Sequence, residues 1–359
     1  MIHKERVLKV INKEQADRVP FFYWDVPEFG VKLMKHLGLD NRDQLLEYLD
    51  VDFRWVEPDY IGKDLIKAGG KEKVDIWGVG YSRVQNGDFE FWEATNFPLQ
   101  GVTEPDVLEK YSWPTVDLFD FTTLAGKIEK YKGYAVMTAP GYSSPGLFRI
   151  IQRLLGREAF MDVIMYHPKF FEALTQKVTK FYTDFIEQLF ANGGEKLDFI
   201  RIADDFGTQS GLAISNDIWE QYCKPAIEAF TELPKKHGVK FYMHSCGAVR
   251  KLIPEFVSIG ASILDPIQTR ASGMEPSGLK EDFGNYITFC GALDEELLLR
   301  QGTPQQVKDG VKELLDTMAP RGGFVLGPSH KLKIETPVEN VLAMYEAAKE
   351  WRYETECIT

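Results

Sequence analysis

Short β-branched or aromatic runs recur along this chain, each separated from the next by a stretch long enough for a crossover helix, and that alternation constrains the fold more than any other feature. Residues 19–23, 134–138, 197–203, 239–243, 262–264, 286–290 and 324–326 read as strands, seven in all. A repeated βα pattern builds a parallel sheet, either open and doubly wound or closed into a barrel. No G-x-G-x-x-G or G-x-x-x-x-G-K-[ST] loop follows the first run, which disfavours the doubly wound nucleotide-binding sheet. The expected fold is a (β/α)8 TIM barrel, one domain over residues 1–359, with an elaborated N-terminal segment. That segment, residues 51–133, carries Trp77-Gly78-Val79, many aromatics and Pro114. It reads as loops and short hairpins, and the eighth strand cannot be assigned in it.

Of the 359 residues 44% are hydrophobic, enough to bury a full-sized core without disulfides. A formal net charge of −12 excludes a nucleic-acid surface, which needs clustered Lys and Arg. The opening MIHKERVLKVINKEQADRVP is broken by charges and lacks the apolar run of a signal peptide. No stretch approaches the ~20 apolar residues of a membrane span, so the expected location is the cytoplasm. The four cysteines, Cys223, Cys246, Cys290 and Cys357, are far apart with no C-x-x-C, and read as free thiols or metal ligands.

The chemistry concentrates where the strand runs end. His244-Ser245-Cys246 directly follows the 239–243 run, at the end of a barrel strand where active sites are built. Imidazole and thiolate two residues apart suit zinc. A third ligand is available in His330, four residues beyond 324–326, or in Cys290, at the end of 286–290. Taken singly, each of these is more simply a packed thiol or a hydrogen-bonded imidazole. Their shared position beyond strand ends is what favours a metal site, whereas Cys223 in a helix-like stretch and Cys357 in the tail carry no such signal. Asp204 and Asp205 follow the 197–203 run and read as catalytic candidates, against a helix-capping or solvated alternative. Gln268, Asp75 and Tyr142 are candidates for substrate binding, with Tyr81 beside them.

Glu5-Arg6-Val7-Leu8 with Asp17-Arg18-Val19-Pro20, Asp204-Asp205-Phe206-Gly207, His244-Ser245-Cys246-Gly247, Gly291-Ala292-Leu293-Asp294 and Gly327-Pro328-Ser329-His330 through Thr336-Pro337 occur in that order. In this the chain resembles the uroporphyrinogen decarboxylase superfamily, in its corrinoid-dependent methyltransferase branch. The resemblance implies zinc held by a His-x-Cys pair, here His244 and Cys246, and by a distant third ligand, normally the cysteine of a Pro-x-Cys stretch. His330 occupies that third position, with Cys290 as the alternate. It further implies methyl transfer between a small substrate (a methyl ether, methylamine or thiol) and the cobalt of a corrinoid, O-demethylation being favoured because imidazole in place of thiolate makes zinc more Lewis-acidic. The chain has no Asp-x-His-x-x-Gly motif, so the corrinoid, a cobalamin, would arrive on a separate protein. A homodimer is compatible with this reading. The decarboxylase branch carries Arg-Gln-Ala-Gly-Arg near its N-terminus; residues 17–30 lack it, and no clustered arginines are expected at the barrel mouth. A metal-free decarboxylase and a non-catalytic corrinoid or small-molecule binding barrel stand as the alternatives.

Overall fold

The computed structural model describes residues 1–67, 69–86, 89–140 and 146–353. Tyr142 and Cys357 lie outside them. Strands among the described residues are β1 (Phe53–Trp55), β2 (Asp59–Tyr60), β3 (Glu72–Val74), β4 (Gly80–Asn86), β5 (Phe89–Asn96), β6 (Phe119–Asp120), β7 (Ala135–Thr138), β8 (Phe199–Ala203), β9 (Lys240–His244), β10 (Ala261–Ile267), β11 (Thr288–Leu293) and β12 (Phe324–Pro328). Seven of them form one sheet in the order β1-β7-β8-β9-β10-β11-β12, every pair parallel.

The segment around Phe21 carries the sheet round from β12 to β1. Phe21 bridges Leu326 in parallel. The Phe22 N–H donates to the Leu326 carbonyl at 2.8 Å, the Leu326 N–H to the Pro20 carbonyl at 2.9 Å, and the Asp52 N–H to the Phe21 carbonyl at 3.0 Å. With helices around it, this is the expected TIM-barrel architecture. Residues 19–23 therefore hold a strand's place through isolated bridges, and β1 supplies the member that the sequence left unassigned. Residues 51–133 add two small antiparallel sheets, β3-β4-β5, in line with the hairpins expected there, and β2-β6, a pairing of distant segments.

The helices follow from apolar spacing and capping. Pro304–Met318 buries Val307, Val311, Leu314, Leu315 and Met318, a stripe at three- and four-residue spacing. Thr303 accepts the Gln306 N–H, and Gln306 returns the bond to the Thr303 N–H, a capping box that fixes where the helix begins. Among the described residues no helix is long and apolar enough to cross a membrane.

Strand periodicity then places the site. Phe22, Phe53, Phe199, Tyr242, Ile263, Cys290 and Val325 pack together as a buried cluster inside the barrel. Side chains two residues further along a strand share its face, one layer nearer the carboxyl end. From Phe22, Phe53, Phe199, Tyr242 and Ile263 that step leads to Trp24, Trp55, Arg201, His244 and Asp265. An apolar floor is thus overlain by a polar and aromatic layer.

Gly146 is where the chain can come close enough to that layer. A Cβ there would lie 2.1 Å from the Ala203 carbonyl oxygen and 2.3 Å from Cγ of Asp204. Gly146→Ala should cost about 3 kcal/mol, the upper end for overpacking, because backbone is the obstacle and cannot rotate away. Urea denaturation checks this, and a loss under about 0.5 kcal/mol would show that the contact relaxes freely.

Candidate active site

Asp205, His244 and Cys246 each present a ligand atom within 4.8 Å of the other two. Cys246 Sγ lies 3.7 Å from His244 Nε2, and Asp205 Oδ1 lies 3.7 Å from the same nitrogen. The backbone explains the convergence. His244 is the last residue of β9 and points inward, Cys246 sits on the turn after it, and Asp205 follows β8, the neighbouring strand. The Cys246 N–H donates to Asp205 Oδ1 at 3.3 Å, and the Gly247 N–H donates to Gln268 Oε1 at 2.8 Å, so both flanking strands hold the turn.

Behind His244 stands a buried pair that the sequence reading missed. Asp265 Oδ2 is 2.7 Å from His244 Nδ1 and 2.9 Å from Nη2 of Arg201, which itself lies 2.6 Å from Nδ1. Ligation through Nε2 requires the proton on Nδ1, where it donates to Asp265; a carboxylate behind a ligating histidine serves this purpose in metal sites generally. Burial, and then the Arg201 charge, lower the His244 pKa and so favour the neutral imidazole that a metal needs. The Asp265 carboxylate is buried, yet Arg201 and His244 keep its pKa below the ordinary range. Burial, Asp205 and Asp265 push the Cys246 thiol well above its ordinary value; a bound cation reverses that logic by stabilising the thiolate. Nitrogen, sulfur and oxygen donors and an open side toward the cavity fit a zinc site with room for substrate. Asp265→Asn should weaken metal binding by about 10–100-fold with the fold intact, measured by competition with a zinc-chelating dye. Unchanged affinity would remove Asp265 from the site.

The other candidates separate. His330 is half-buried in the cavity wall, its ring 5.4 Å from that of Trp24, which also packs edge-on to His244 at 5.1 Å. It lies outside the three-residue cluster, and burial followed by His244 lowers its pKa to about 4. Cys290 is displaced from its expected position: β11 runs on to Leu293, so this thiol is mid-strand, fully buried beside Tyr242, and not among the residues lining the cavity. Asp204 takes the capping alternative. Its carboxylate accepts the Phe148 and Arg149 N–H groups at 2.8 and 2.9 Å, at the start of the helix Leu147–Leu155, and burial raises its pKa to about 7. Asp75 lines the cavity, but its carboxylate accepts the Trp77 and Val79 N–H groups and the Tyr81 hydroxyl, closing a turn. Asp205 is half-buried. Burial opposes its charge, but His244 and Arg149 outweigh it and leave the pKa below the ordinary range.

The cavity, about 940 Å³, opens at the carboxyl ends of the barrel strands and is walled on one side by Lys73, Tyr81 and Trp92 of the β3-β4-β5 sheet. Here one expectation is corrected. Five arginines (Arg42, Arg54, Arg149, Arg153, Arg201) and two lysines (Lys73, Lys331) line it, against four carboxylates (Asp43, Glu57, Asp75, Asp205). Only Arg149 and Arg153 share an element, so no run of basic residues announces them.

The chain is 25% identical over 212 residues to "Methylcobamide:CoM methyltransferase MtbA" of Methanosarcina acetivorans and 24% identical over 188 residues to "Uroporphyrinogen decarboxylase 2, chloroplastic" of Oryza sativa. The matches take in 58% and 52% of this chain and 57% and 44% of those proteins, so the chain spans about half the length of the curated relatives it matches. A solved "methyltransferase from Methanosarcina mazei" superposes with a TM-score of 0.66 over 98% of this chain and 99% of that one, at 18% identity, a likeness of fold. The family model described as "Uroporphyrinogen decarboxylase (URO-D)" matches residues 148–351, which carry β8 to β12 and the whole His244 cluster, and the chain belongs to that family.

Proposed function

We propose that this protein is a zinc-dependent methyltransferase of the O-demethylase type, moving a methyl group from a small methyl ether to the cobalt of a corrinoid carried by a separate protein. The Asp205–His244–Cys246 cluster at the barrel mouth carries the reading, and similarity to a methylcobamide methyltransferase supports methyl transfer that involves a corrinoid. His244, Cys246 and Asp205 would hold the zinc, with His330 across Trp24 available to complete the set. Zinc bound there supplies Lewis acidity toward the ether oxygen that must leave with the bonding electrons. Asp265 keeps His244 in the tautomer that presents Nε2, and Arg149 holds the Asp205 carboxylate in place. Gln268 fixes the Cys246-Gly247 turn, and the surrounding aromatics exclude water from the methyl group. The cytoplasm is the fitting compartment for a thiol-dependent site.

The test is anaerobic incubation of the protein with cob(I)alamin and a panel of methyl ethers, before and after zinc removal by a chelator. Methylcobalamin formation that stops on chelation and returns with zinc is the expected result. The cation-lined cavity and the plant decarboxylase relative favour one second reading, a metal-free decarboxylase of a small acid. Loss of carbon dioxide from an acid substrate, undiminished by chelation, would establish it in place of the first.

A further inference from the structure

Lys13, Lys280 and Arg321 gather at the amino end of the barrel, the face opposite the cavity. Lys13 follows the first helix, His3–Ile11, Lys280 lies on the helix Pro276–Phe283, and Arg321 stands in the turn that leads into β12. Both lysines close on Gly322-Gly323. Lys280 Nζ donates to the Gly322 carbonyl at 2.5 Å, and a Cβ on Gly323 would lie 3.2 Å from Lys13 Nζ, so glycine there leaves room for that ammonium. Lys13 Nζ also donates to Thr288 Oγ1 at 3.0 Å, at the first residue of β11. None of the three cations makes an ion pair among the described residues, and no acid offsets their mutual repulsion at longer range. Four described lysines sit below the ordinary amine pKa; Asp75 pulls back on Lys73 and Asp25 on Lys331, whereas Lys13 and Lys280 meet only burial and another cation. Burial and then Lys280 lower Lys13 to about 7; burial and then Arg321 lower Lys280 to about 8. The backbone adds to the cost, because Lys13 and Arg321 are two of the four non-glycine residues held at positive φ among the described residues.

We infer that Lys13, Lys280 and Arg321 form a receptor for a phosphate ion, which clamps the end of the first helix to the turn before β12. The site is independent of the methyl-transfer reading, since it lies at the other end of the barrel. Donors are in supply. Each ammonium carries three N–H groups and spends one, and the exposed Arg321 guanidinium carries five and spends none among the described residues. The Gly322 and Gly323 N–H groups are already taken by the Ala319 and Val10 carbonyls, so recognition falls to the side chains. Three cations arriving from three segments match an anion with several oxygens and about two negative charges better than they match a carboxylate. A phosphate among them turns the repulsion into three attractions and joins elements that otherwise hold like charges together.

Acetic anhydride labelling of the whole protein at neutral pH, read by peptide mass spectrometry, reports Lys13 and Lys280 separately from the cavity lysines Lys73 and Lys331. Inorganic phosphate, titrated into a phosphate-free buffer, should slow labelling of Lys13 and Lys280 at least about fivefold relative to the exposed Lys169, because a bound anion both covers the amines and holds them protonated. Sodium acetate and sodium chloride at equal ionic strength should not. Arg321→Gln should remove most of the protection at both lysines, and Lys280→Met should remove it at Lys13. Arg321 is exposed and makes no hydrogen bond among the described residues, so the urea midpoint of Arg321→Gln should match that of wild type and report an intact fold. Equal protection by acetate or chloride reduces the effect to charge screening and overturns the receptor. Absence of protection overturns it too, as does protection that survives Arg321→Gln.

Discussion

Cys246→Ala and His244→Ala should each leave the purified protein without zinc and lower methyl transfer to cob(I)alamin roughly a thousandfold, the several kcal/mol that Lewis-acid stabilisation supplies. Wild type, purified anaerobically, should carry about one zinc per chain by elemental mass spectrometry. The same measurement decides the third ligand. Asp205 is within reach of His244 Nε2, and His330 is not part of that cluster, so Asp205→Ala should lose more zinc than His330→Ala. The opposite order would return the third position to His330, the residue that the Pro-x-Cys comparison selected. Retention of zinc by both Cys246→Ala and His244→Ala would place the metal elsewhere and remove the basis of the proposal. Substitution of Cys290 should leave zinc content unaltered, since its sulfur is enclosed in the barrel floor.

Much of the site was readable because the sequence order of a barrel is also a spatial order. A motif directly after a strand run lands on the catalytic face, which is how His244, Cys246 and Asp205 could be named together. Their supports were hidden for the same reason that the floor was legible. Asp265 directly follows the 262–264 run and was passed over for Gln268 three residues further on, whereas Arg201 lies within β8, where a polar residue inside an apolar run gives no hint of which face it takes. Register alone decides that: β9 aligns His244 with Asp265 on one side and with Ala203 on the other. Cys290 was misplaced because the strand was read three residues short, an end effect that moved a floor residue to the rim. β1 went unassigned since three residues carry no periodicity. The cationic cavity escaped because its seven basic residues come from six segments, only Arg149 and Arg153 sharing a helix, and folding collects them.

The largest stability effect should fall on the seam that closes the barrel, where Asp52→Ala is expected to cost about 3–5 kcal/mol in urea denaturation. Asp52 is fully buried and joins three parts of the chain. Its Oδ1 accepts from Arg6 Nη1 at 2.6 Å and meets His3 Nδ1 at 2.9 Å, both on the opening helix His3–Ile11; its Oδ2 accepts from Arg18 Nη1 at 2.8 Å and the Phe21 N–H at 2.6 Å. Phe21 is the residue that bridges β12, so one carboxylate ties the helix and the closing segment to the start of β1. Removing it takes from Arg6 and Arg18 their one fully buried partner, leaves them only the more exposed Asp17 and Asp50, and orphans the Phe21 N–H, a greater loss than the pairs' own net contribution. The pH dependence follows from the same contacts. Burial opposes the charge, but His3, Arg18 and the Phe21 N–H outweigh it and hold the Asp52 pKa below the ordinary range. The unfolded chain takes up this proton near pH ~3.9, whereas the folded one resists it to lower pH. The stabilisation is therefore complete above that value and fades as pH falls toward the folded pKa. Asp52→Asn should be less stable than wild type at pH 7, with the difference narrowing below about pH 4. A constant difference across that range would mean the carboxylate's charge contributes nothing to the seam, leaving only its hydrogen bonds to hold it.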